Sequence, residues 1–236
     1  MKLWAHRGSH GPDGPLENTM AAFERAVVDQ ADGIELDVHL SLDGYPVVFH
    51  DETLERLTFS RDSRRIADVS ADELINVQLS GGHRMPLLSD VLDQIGSHIS
   101  LNIEIKDAIA VDAVMSLLDG YPGHSHLLSS FSADAVRHAF HADESLERAW
   151  ISGDLPASDA EQEASRWPFL TLTRTRASRW HTSQWFCNPT TISLLAQRGI
   201  QTHVWTVNDP VQARSLYVMG AHGIFTDNPG LMREAL

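Results

Sequence analysis

Short apolar runs of strand-like composition alternate along the chain with segments in which apolar residues recur every three or four positions. The first run, residues 2–6, predicts a strand, and residues 17–30 have the spacing of an amphipathic helix. Residues 34–38 then predict a second strand after Gly33. Alternation of this kind is typical of βα units that build a parallel sheet.

The alternation continues to the end of the chain. Six further strands are predicted at residues 100–105, 126–131, 148–151, 169–173, 202–207 and 223–226. Helices are predicted at residues 88–95, 111–118, 133–140, 190–197 and 210–219, with a weaker helical pattern at 157–167. With the first two strands, the series approaches the strand count of a TIM (β/α)8 barrel, an α/β fold.

Two segments do not fit a plain βα turn. Residues 41–85 start with a hairpin-turn sequence at 42–45 that would feed an additional strand at 46–50, which indicates a small excursion on the C-terminal face of the barrel. Residues 174–188 predict a second long loop. Neither segment is long enough to be an independent domain, so we expect a single TIM-barrel domain over residues 1–236.

Composition and charge narrow the range of functions. A chain of 236 residues with 42% hydrophobic residues can bury the core of one large α/β domain. Its formal net charge of -14 argues against a surface that binds nucleic acid or anionic lipid. No apolar run approaches the roughly 18 residues of a membrane span. The single Cys187 cannot form an internal disulfide and the start at Met1 lacks the apolar core of a secretory signal, so we expect a cytoplasmic protein.

Acidic residues sit two apart on one predicted strand. Glu35 and Asp37 share a face that would point into the barrel mouth if the apolar residues between them pack against helices. Glu104 and Lys106 have the same spacing on the next barrel strand. The three carboxylates could share a divalent cation, for which hard oxygen ligands favour Mg²⁺, Ca²⁺ or Mn²⁺ over Zn²⁺, while Lys106 could meet a phosphate. The alternative is a polar strand end held by salt bridges.

Two histidines come at predicted strand ends, where a TIM barrel carries its catalytic residues. His6 is followed by Arg7, and His50 closes the strand of the excursion. Near neutral pH an imidazole can accept a proton and an imidazolium can donate one, so the pair could act as base and acid beside a phosphate. Arg7 could bind that phosphate bidentately or form a surface salt bridge. His10, in the following loop, is expected to be an ordinary surface residue.

Eight short motifs occur in an order that resembles the glycerophosphodiester phosphodiesterase family. They are His6-Arg7-Gly8, Glu17-Asn18-Thr19, Glu35-Leu36-Asp37-Val38, Asp43-Gly44, Pro46-Val47-Val48-Phe49-His50-Asp51, Glu104-Ile105-Lys106, Trp205-Thr206-Val207-Asn208 and Thr226-Asp227-Asn228-Pro229. No single motif is specific, but their order and their fit to strand ends make an accidental match improbable. The resemblance implies a TIM barrel, a divalent metal and two catalytic histidines.

Position by position, the resemblance implies roles for seven residues. The metal ligands would be Glu35, Asp37 and Glu104, the acid/base pair His6 and His50, and the phosphate contacts Arg7 and Lys106. The reading from residue chemistry alone reaches the same set. The implied reaction is hydrolysis of a glycerophosphodiester, a small-molecule substrate, to glycerol 3-phosphate and an alcohol. The alternatives are a related phospholipase of D or C type acting on lysophospholipids, and a non-catalytic barrel that binds phosphodiesters.

Four further residues belong to the expected site. Glu17 and Asn18 would lie beside it, with Glu17 orienting a catalytic group, although Asn18 or Thr19 could instead cap the first helix. Trp205 and Phe131 close two barrel strands and could form an apolar wall against the glycerol or the leaving alcohol. For both aromatic residues the alternative is packing at the barrel rim.

Overall fold

The computed structural model describes residues 1–153 and 167–236. Its strands are β1 (Lys2–His6), β2 (Gly33–Leu40), β3 (Pro46–Val48), β4 (Ser100–Ile105), β5 (His126–Ser130), β6 (Glu147–Ser152), β7 (Arg179–Ser183), β8 (Gln201–Trp205) and β9 (Gly223–Thr226). Its helices are α1 (Met20–Val28), α2 (Ala71–Asn76), α3 (Leu88–Gln94), α4 (Val111–Leu118), α5 (Ala133–Ala142), α6 (Phe169–Thr175), α7 (Pro189–Ala196), α8 (Pro210–Met219) and α9 (Pro229–Ala235).

Eight parallel strands close into a ring, which confirms the TIM barrel. The sheet runs β1-β9-β8-β7-β6-β5-β4-β2, and pairing of β1 with β2 closes it. Strand β3 lies outside the ring and pairs antiparallel with β2. In the described part of the chain, no helix is long and apolar enough to cross a membrane.

Strand β2 shows how the fold places polar groups inside the barrel. Ile34, Leu36 and Val38 are fully buried in the cluster formed with the surrounding helices. Because successive side chains of a strand point to opposite faces, Glu35 and Asp37 face the barrel interior. The apolar face of β2 thus packs against the helices, and its carboxylates lie in the mouth of the barrel.

Residues 41–85, which we call the insertion, carry β3 and α2 and have an apolar core of their own. That core contains Val47, Phe49, Leu54, Leu57, Ile66, Val69, Leu74, Leu79 and Met85. The excursion predicted after the second strand is therefore present, and the turn at Gly44, whose φ is 83°, leads into β3 as expected. Strand β3 ends at Val48, so His50 lies just beyond it.

The prediction was wrong for residues 169–188, whereas the strands and helices predicted after residue 189 are present. Residues 169–173 form part of helix α6, whose buried Leu172 and Thr175 have a helical spacing of three. The predicted loop 174–188 contains strand β7. The inward residues of β7 are polar, which hid its strand pattern from a search for apolar runs. The weak helical pattern at 157–167 lies outside the described residues except for its last position.

Candidate active site

A cleft at the C-terminal ends of the barrel strands contains most of the residues singled out from the sequence. It encloses ≈ 550 Å³, including the space at its open mouth. Its lining is His6, Arg7, Glu35, His50, Asn102, Glu104, Lys106, Phe131, Ile151, His181, Trp205, Thr206 and Phe225. We call this space the main cleft.

Three buried carboxylates meet beside the main cleft. Glu35, Asp37 and Glu104 each offer an oxygen, and these atoms all lie within 4.8 Å of one another. The β2–β4 register brings them together, since Asp37 pairs directly with Glu104. The backbone N–H of Arg7 also donates to Glu35 Oε2 at 2.9 Å. We call the three carboxylates the acidic cluster.

Burial and mutual repulsion make full ionisation of the acidic cluster costly. Burial, followed by the charges of Asp37 and Glu104, raises the pKa of Glu35 well above its usual value. Burial and then Asp37 raise the pKa of Glu104 to about 7. For Asp37, burial acts in the same direction, but Lys106 and Arg7 outweigh it and lower the pKa to about 2. The ionised form of the cluster is therefore short of positive charge, which a cation would supply.

Lys106 neutralises part of that charge. Its Nζ lies 2.6 Å from Asp37 Oδ1 and 2.5 Å from Glu104 Oε1. Burial disfavours the ammonium, but the charges of these two carboxylates outweigh it and raise the pKa of Lys106. The ammonium is thus tied to the acidic cluster, as in the alternative of a strand end held by salt bridges, and its contact with a phosphate stays a prediction.

His6 is held by a carboxylate from the opposite end of the chain. Its Nδ1 lies 2.7 Å from Asp227 Oδ1, just after β9, and Asn208 Nδ2 donates to Asp227 Oδ2 at 2.6 Å. Burial of Asp227 is outweighed by hydrogen bonds from His10 and His6, which lower its pKa. An ionised carboxylate only accepts hydrogen bonds, so Nδ1 of His6 carries the proton and Nε2 remains for a ligand. His10, expected to be a surface residue, contributes to this group with its Nε2 at 3.3 Å from Asp227 Oδ1.

The insertion supplies a second histidine–carboxylate pair. His50 Nδ1 lies 2.6 Å from Asp51 Oδ1, and Arg56 Nε donates to Asp51 Oδ2 at 2.5 Å. Arg56 also donates to both carboxylate oxygens of Glu17, at 3.0 and 2.7 Å. Glu17 in turn accepts from Arg7 Nη1 at 2.9 Å. The guanidinium of Arg56 thus links Asp51, which binds His50, to Glu17, which binds Arg7.

The two candidate helix caps have separate tasks. Thr19 is the N-cap of α1, and its Oγ1 accepts from the backbone N–H of Ala22 at 3.3 Å. Asn18 turns inward in a left-handed conformation with φ 54° and donates from Nδ2 to Asp37 Oδ2 at 2.7 Å. Asn18 therefore supports the acidic cluster, and Thr19 starts the helix.

The two aromatic residues expected as a wall line the main cleft together. Their rings meet edge to face, with centroids 5.8 Å apart. Trp205 closes β8, while Phe131 follows β5 and is 51% exposed. Their position at the mouth provides apolar surface for a ligand.

Sequence reasoning assigned no role to several polar residues of the site, although three of them, Asp51, Asn208 and Asp227, stand in the motifs quoted from the sequence. The full set is Asp51, Arg56, Asn102, His181, Asn208 and Asp227. Asp51 could have been found, since it directly follows His50 and a carboxylate commonly orients a catalytic imidazole. Asp227 is 221 positions from His6, so only closure of the barrel brings them together.

Known proteins resemble this chain over nearly its whole length. Residues 6–231 match the model of the glycerophosphoryl diester phosphodiesterase family. A glycerophosphodiester phosphodiesterase of Caldanaerobacter subterraneus is 30% identical, with 95% of this chain and 93% of that protein covered. Human lysophospholipase D GDPD1 is 26% identical, with 98% and 85% covered. An Oleispira antarctica phosphodiesterase, solved in complex with the product sn-glycerol-3-phosphate, is 27% identical with a TM-score of 0.83, covering 100% of this chain and 96% of that chain. The chain belongs to the glycerophosphoryl diester phosphodiesterase family of hydrolases.

Proposed function

We propose that this protein hydrolyses glycerophosphodiesters to glycerol 3-phosphate and an alcohol, with a divalent cation and two histidines that move protons. The observation that carries the proposal is the meeting of His6, His50 and the acidic cluster at one cleft. A site that only bound phosphodiesters would not need two imidazoles that each have Nδ1 against a carboxylate.

The two histidines suit different proton transfers. Burial lowers the pKa of His50, and Lys106 and Arg7 add to this effect against the opposing charge of Asp37. His50 is therefore neutral at pH 7 and suited to accept a proton from the attacking group. That group is either a water, which gives glycerol 3-phosphate directly, or the neighbouring glycerol hydroxyl, whose cyclic phosphate a water then opens. His6, whose Nε2 faces away from Asp227, then protonates the leaving alcohol. An alkoxide leaves poorly without this proton.

Glu35, Asp37 and Glu104 fit a divalent cation. Buried carboxylate oxygens within 4.8 Å of one another are the hard donors that Mg²⁺, Ca²⁺ or Mn²⁺ requires, and the raised pKa values of Glu35 and Glu104 show charge left to be neutralised. When bound, the cation would supply Lewis-acid stabilisation of charge on the phosphate. Asn18, through its bond to Asp37 Oδ2, would fix the orientation of one ligand.

Arg7 and Lys106 would bind the phosphate from the rim of the acidic cluster. Glu17 fixes the guanidinium of Arg7, whose Nε also lies 3.3 Å from Asp37 Oδ2. Lys106 would contact the phosphate while it remains in reach of Glu104. The product named in the Oleispira antarctica complex, sn-glycerol-3-phosphate, supports a glycerol phosphate in the corresponding cleft here.

A lysophospholipid is the second candidate substrate because another cleft adjoins the first. His50 and Lys106 line both, and the second cleft, which we call the side cleft, encloses ≈ 1440 Å³ including its mouth. Leu42 and Ile109 on its rim are 67% and 69% exposed. The side cleft could therefore take the acyl chain of a lysophospholipid. A D-type cleavage, as in the name of the human lysophospholipase D relative, leaves that chain on the glycerol phosphate while the head-group alcohol departs.

Steady-state kinetics on His6→Ala and His50→Ala test the proposal. With glycerophosphocholine, each substitution should lower kcat by roughly 10²–10⁴-fold with little change in binding. A p-nitrophenyl diester has a good leaving group, so it should partly rescue His6→Ala but not His50→Ala. His98→Ala, at an exposed loop position, is the matched control and should keep normal kcat. Near-normal turnover by both site variants would refute the mechanism, and preference for a lysophospholipid would select the second candidate.

A further inference from the structure

Two buried polar side chains line the main cleft without a hydrogen-bond partner among the described residues. Both amide atoms of Asn102 and both ring nitrogens of His181 are unpaired. The two residues are 0% and 1% exposed. A buried polar group left unpaired costs stability, and native proteins contain few of them. Four such atoms, from two strands that both line the main cleft, indicate that a ligand completes their hydrogen bonds.

Asn102 lies level with Glu35 and one step deeper in the barrel than Asp37 and Glu104, and His181 lies one step below the end of β7 at Ser183. Asn102 precedes Glu104 by two residues on β4, so it shares the inward face and pairs across the ladder with Glu35. His181 on β7 stacks on His203 of β8, with ring centroids 5.3 Å apart and an interplanar angle of 13°. Their place is therefore the inner end of the cleft, next to the proposed phosphate position.

His181 is rigidly placed. Trp4 Nε1 donates to Nδ1 of the stacked His203 at 3.0 Å. Below them, Trp4, Leu127, Ala149 and Phe225 fill the barrel as an apolar cluster. The inner end of the cleft is consequently closed and limited in size, whereas the mouth and the side cleft are open.

The charge state of these groups restricts the chemistry of the ligand. Burial, with a contribution from the nearby Arg179, holds the pKa of His181 well below its usual value, so its imidazole is neutral. A neutral imidazole presents one donor and one acceptor, and so does a primary amide. A phosphate oxygen without a proton only accepts and an ammonium group only donates, whereas a hydroxyl does both. Paired donor and acceptor atoms are thus matched by a hydroxyl group.

We propose that Asn102 and His181 form a hydroxyl-binding floor that recognises the terminal hydroxyl of the substrate's glycerol. This inference rests on the proposed hydrolysis of glycerophosphodiesters. The leaving alcohol differs in size from substrate to substrate and requires an open path, which the side cleft provides. Glycerol is the constant part of these substrates and fits a closed end of fixed size. Asn102 and His181 would then determine specificity for glycerol without taking part in proton transfer.

Two substrates that differ by one hydroxyl test the floor. Both are p-nitrophenyl phosphodiesters, one of glycerol and one of propane-1,2-diol. The propanediol substrate keeps the hydroxyl next to the phosphate ester, but it has a methyl group where glycerol has its terminal hydroxyl. The wild-type protein should favour the glycerol substrate in kcat/KM by at least about 100-fold, because a site built to bind a hydroxyl leaves buried groups unpaired with the analogue. Asn102→Leu and His181→Leu should each reduce this ratio to below about tenfold.

Thr202→Val is the matched control. The Thr202 hydroxyl is also buried and unpaired, but it does not line the main cleft, so the variant should keep the wild-type ratio. A wild-type protein that cleaves both substrates equally well, or leucine variants that keep the 100-fold ratio, would overturn the proposal. A wild-type ratio near one refutes the proposal even if a leucine variant does not fold. Failure to cleave either substrate would instead refute the proposed function.

Discussion

Replacing Glu104 with Gln should stabilise the metal-free protein at alkaline pH while removing the metal response. Burial first, and then the charge of Asp37, raises the pKa of Glu104 from 4.5 to about 7. Since the folded state favours the protonated form, it holds a proton that the unfolded chain releases at lower pH. The contribution of Glu104 to stability is therefore fully present below pH 4.5 and is lost as the pH rises to about 7. Above that pH, the buried, ionised carboxylate of Glu104 lowers the free energy of unfolding.

The size of the cost follows from the shift in pKa. A rise from 4.5 to about 7 corresponds to about 3 kcal/mol, at 1.36 kcal/mol per unit. Glutamine has nearly the same volume as glutamate and carries no charge, so it removes this term without opening a cavity. Lys106 keeps Asp37 as its partner. At pH 5 most of the folded wild-type protein is already protonated at Glu104, and the difference should fall below about 1 kcal/mol.

Denaturant unfolding in chelator at pH 5 and pH 8 measures this prediction. The Gln variant should be more stable than wild type by about 3 kcal/mol at pH 8, and Mg²⁺ should stabilise wild type more than the variant. Glu24→Gln, at an exposed position of α1, is the control and should change little at either pH. A Gln variant that is less stable than wild type by the same amount at both pH values would show that Glu104 is a structural partner of Lys106 and that its burial is not a penalty.

Two further predictions concern the cations of the site. Lys106→Met should lower the free energy of unfolding at pH 8 by about 3 kcal/mol in chelator, because two buried carboxylates lose their partner. A divalent cation should restore part of the loss. An unchanged unfolding curve in chelator would contradict this prediction. Arg56→Gln should lower kcat about tenfold, since Arg56 fixes the carboxylates that orient His50 and Arg7. Arg64→Gln, whose ion pairs lie elsewhere in the insertion, is the control for steady-state kinetics, and equal kcat values for the two variants would refute the role of Arg56.

The strand period made the acidic cluster predictable. Two carboxylates at positions i and i+2 share a face whatever the strand pairs with, so Glu35 and Asp37 could be placed together from the sequence. Glu104 needed only the assumption that its strand is the next in the barrel, which the ladder pairing Asp37 with Glu104 bears out. Local periodicity combined with a known strand order was sufficient for this part of the site.

The elements that were missed have polar strands or depend on distant contacts. Strand β7 turns Arg179, His181 and Ser183 inward, and these residues do not produce the apolar alternation by which strands are recognised. The same polar strand supplies one half of the proposed hydroxyl-binding floor. The salt bridges of Lys106 could not be predicted for a related reason, because a side chain can reach either a ligand or its own neighbours. Only coordinates show that two carboxylates lie within 2.6 Å of its Nζ.

The balance of charge around the acidic cluster explains why a cation and an anionic substrate would depend on each other. Three carboxylates face the two cationic side chains Arg7 and Lys106, while Arg56 is shared between Glu17 and Asp51. When all three carboxylates of the acidic cluster are ionised, at least one negative charge is left over, and it would repel a phosphodiester, which itself carries one negative charge. A divalent cation would offset both of these negative charges. Substrate affinity should therefore rise with occupancy of the cation site, because each charge lowers the cost of burying the other.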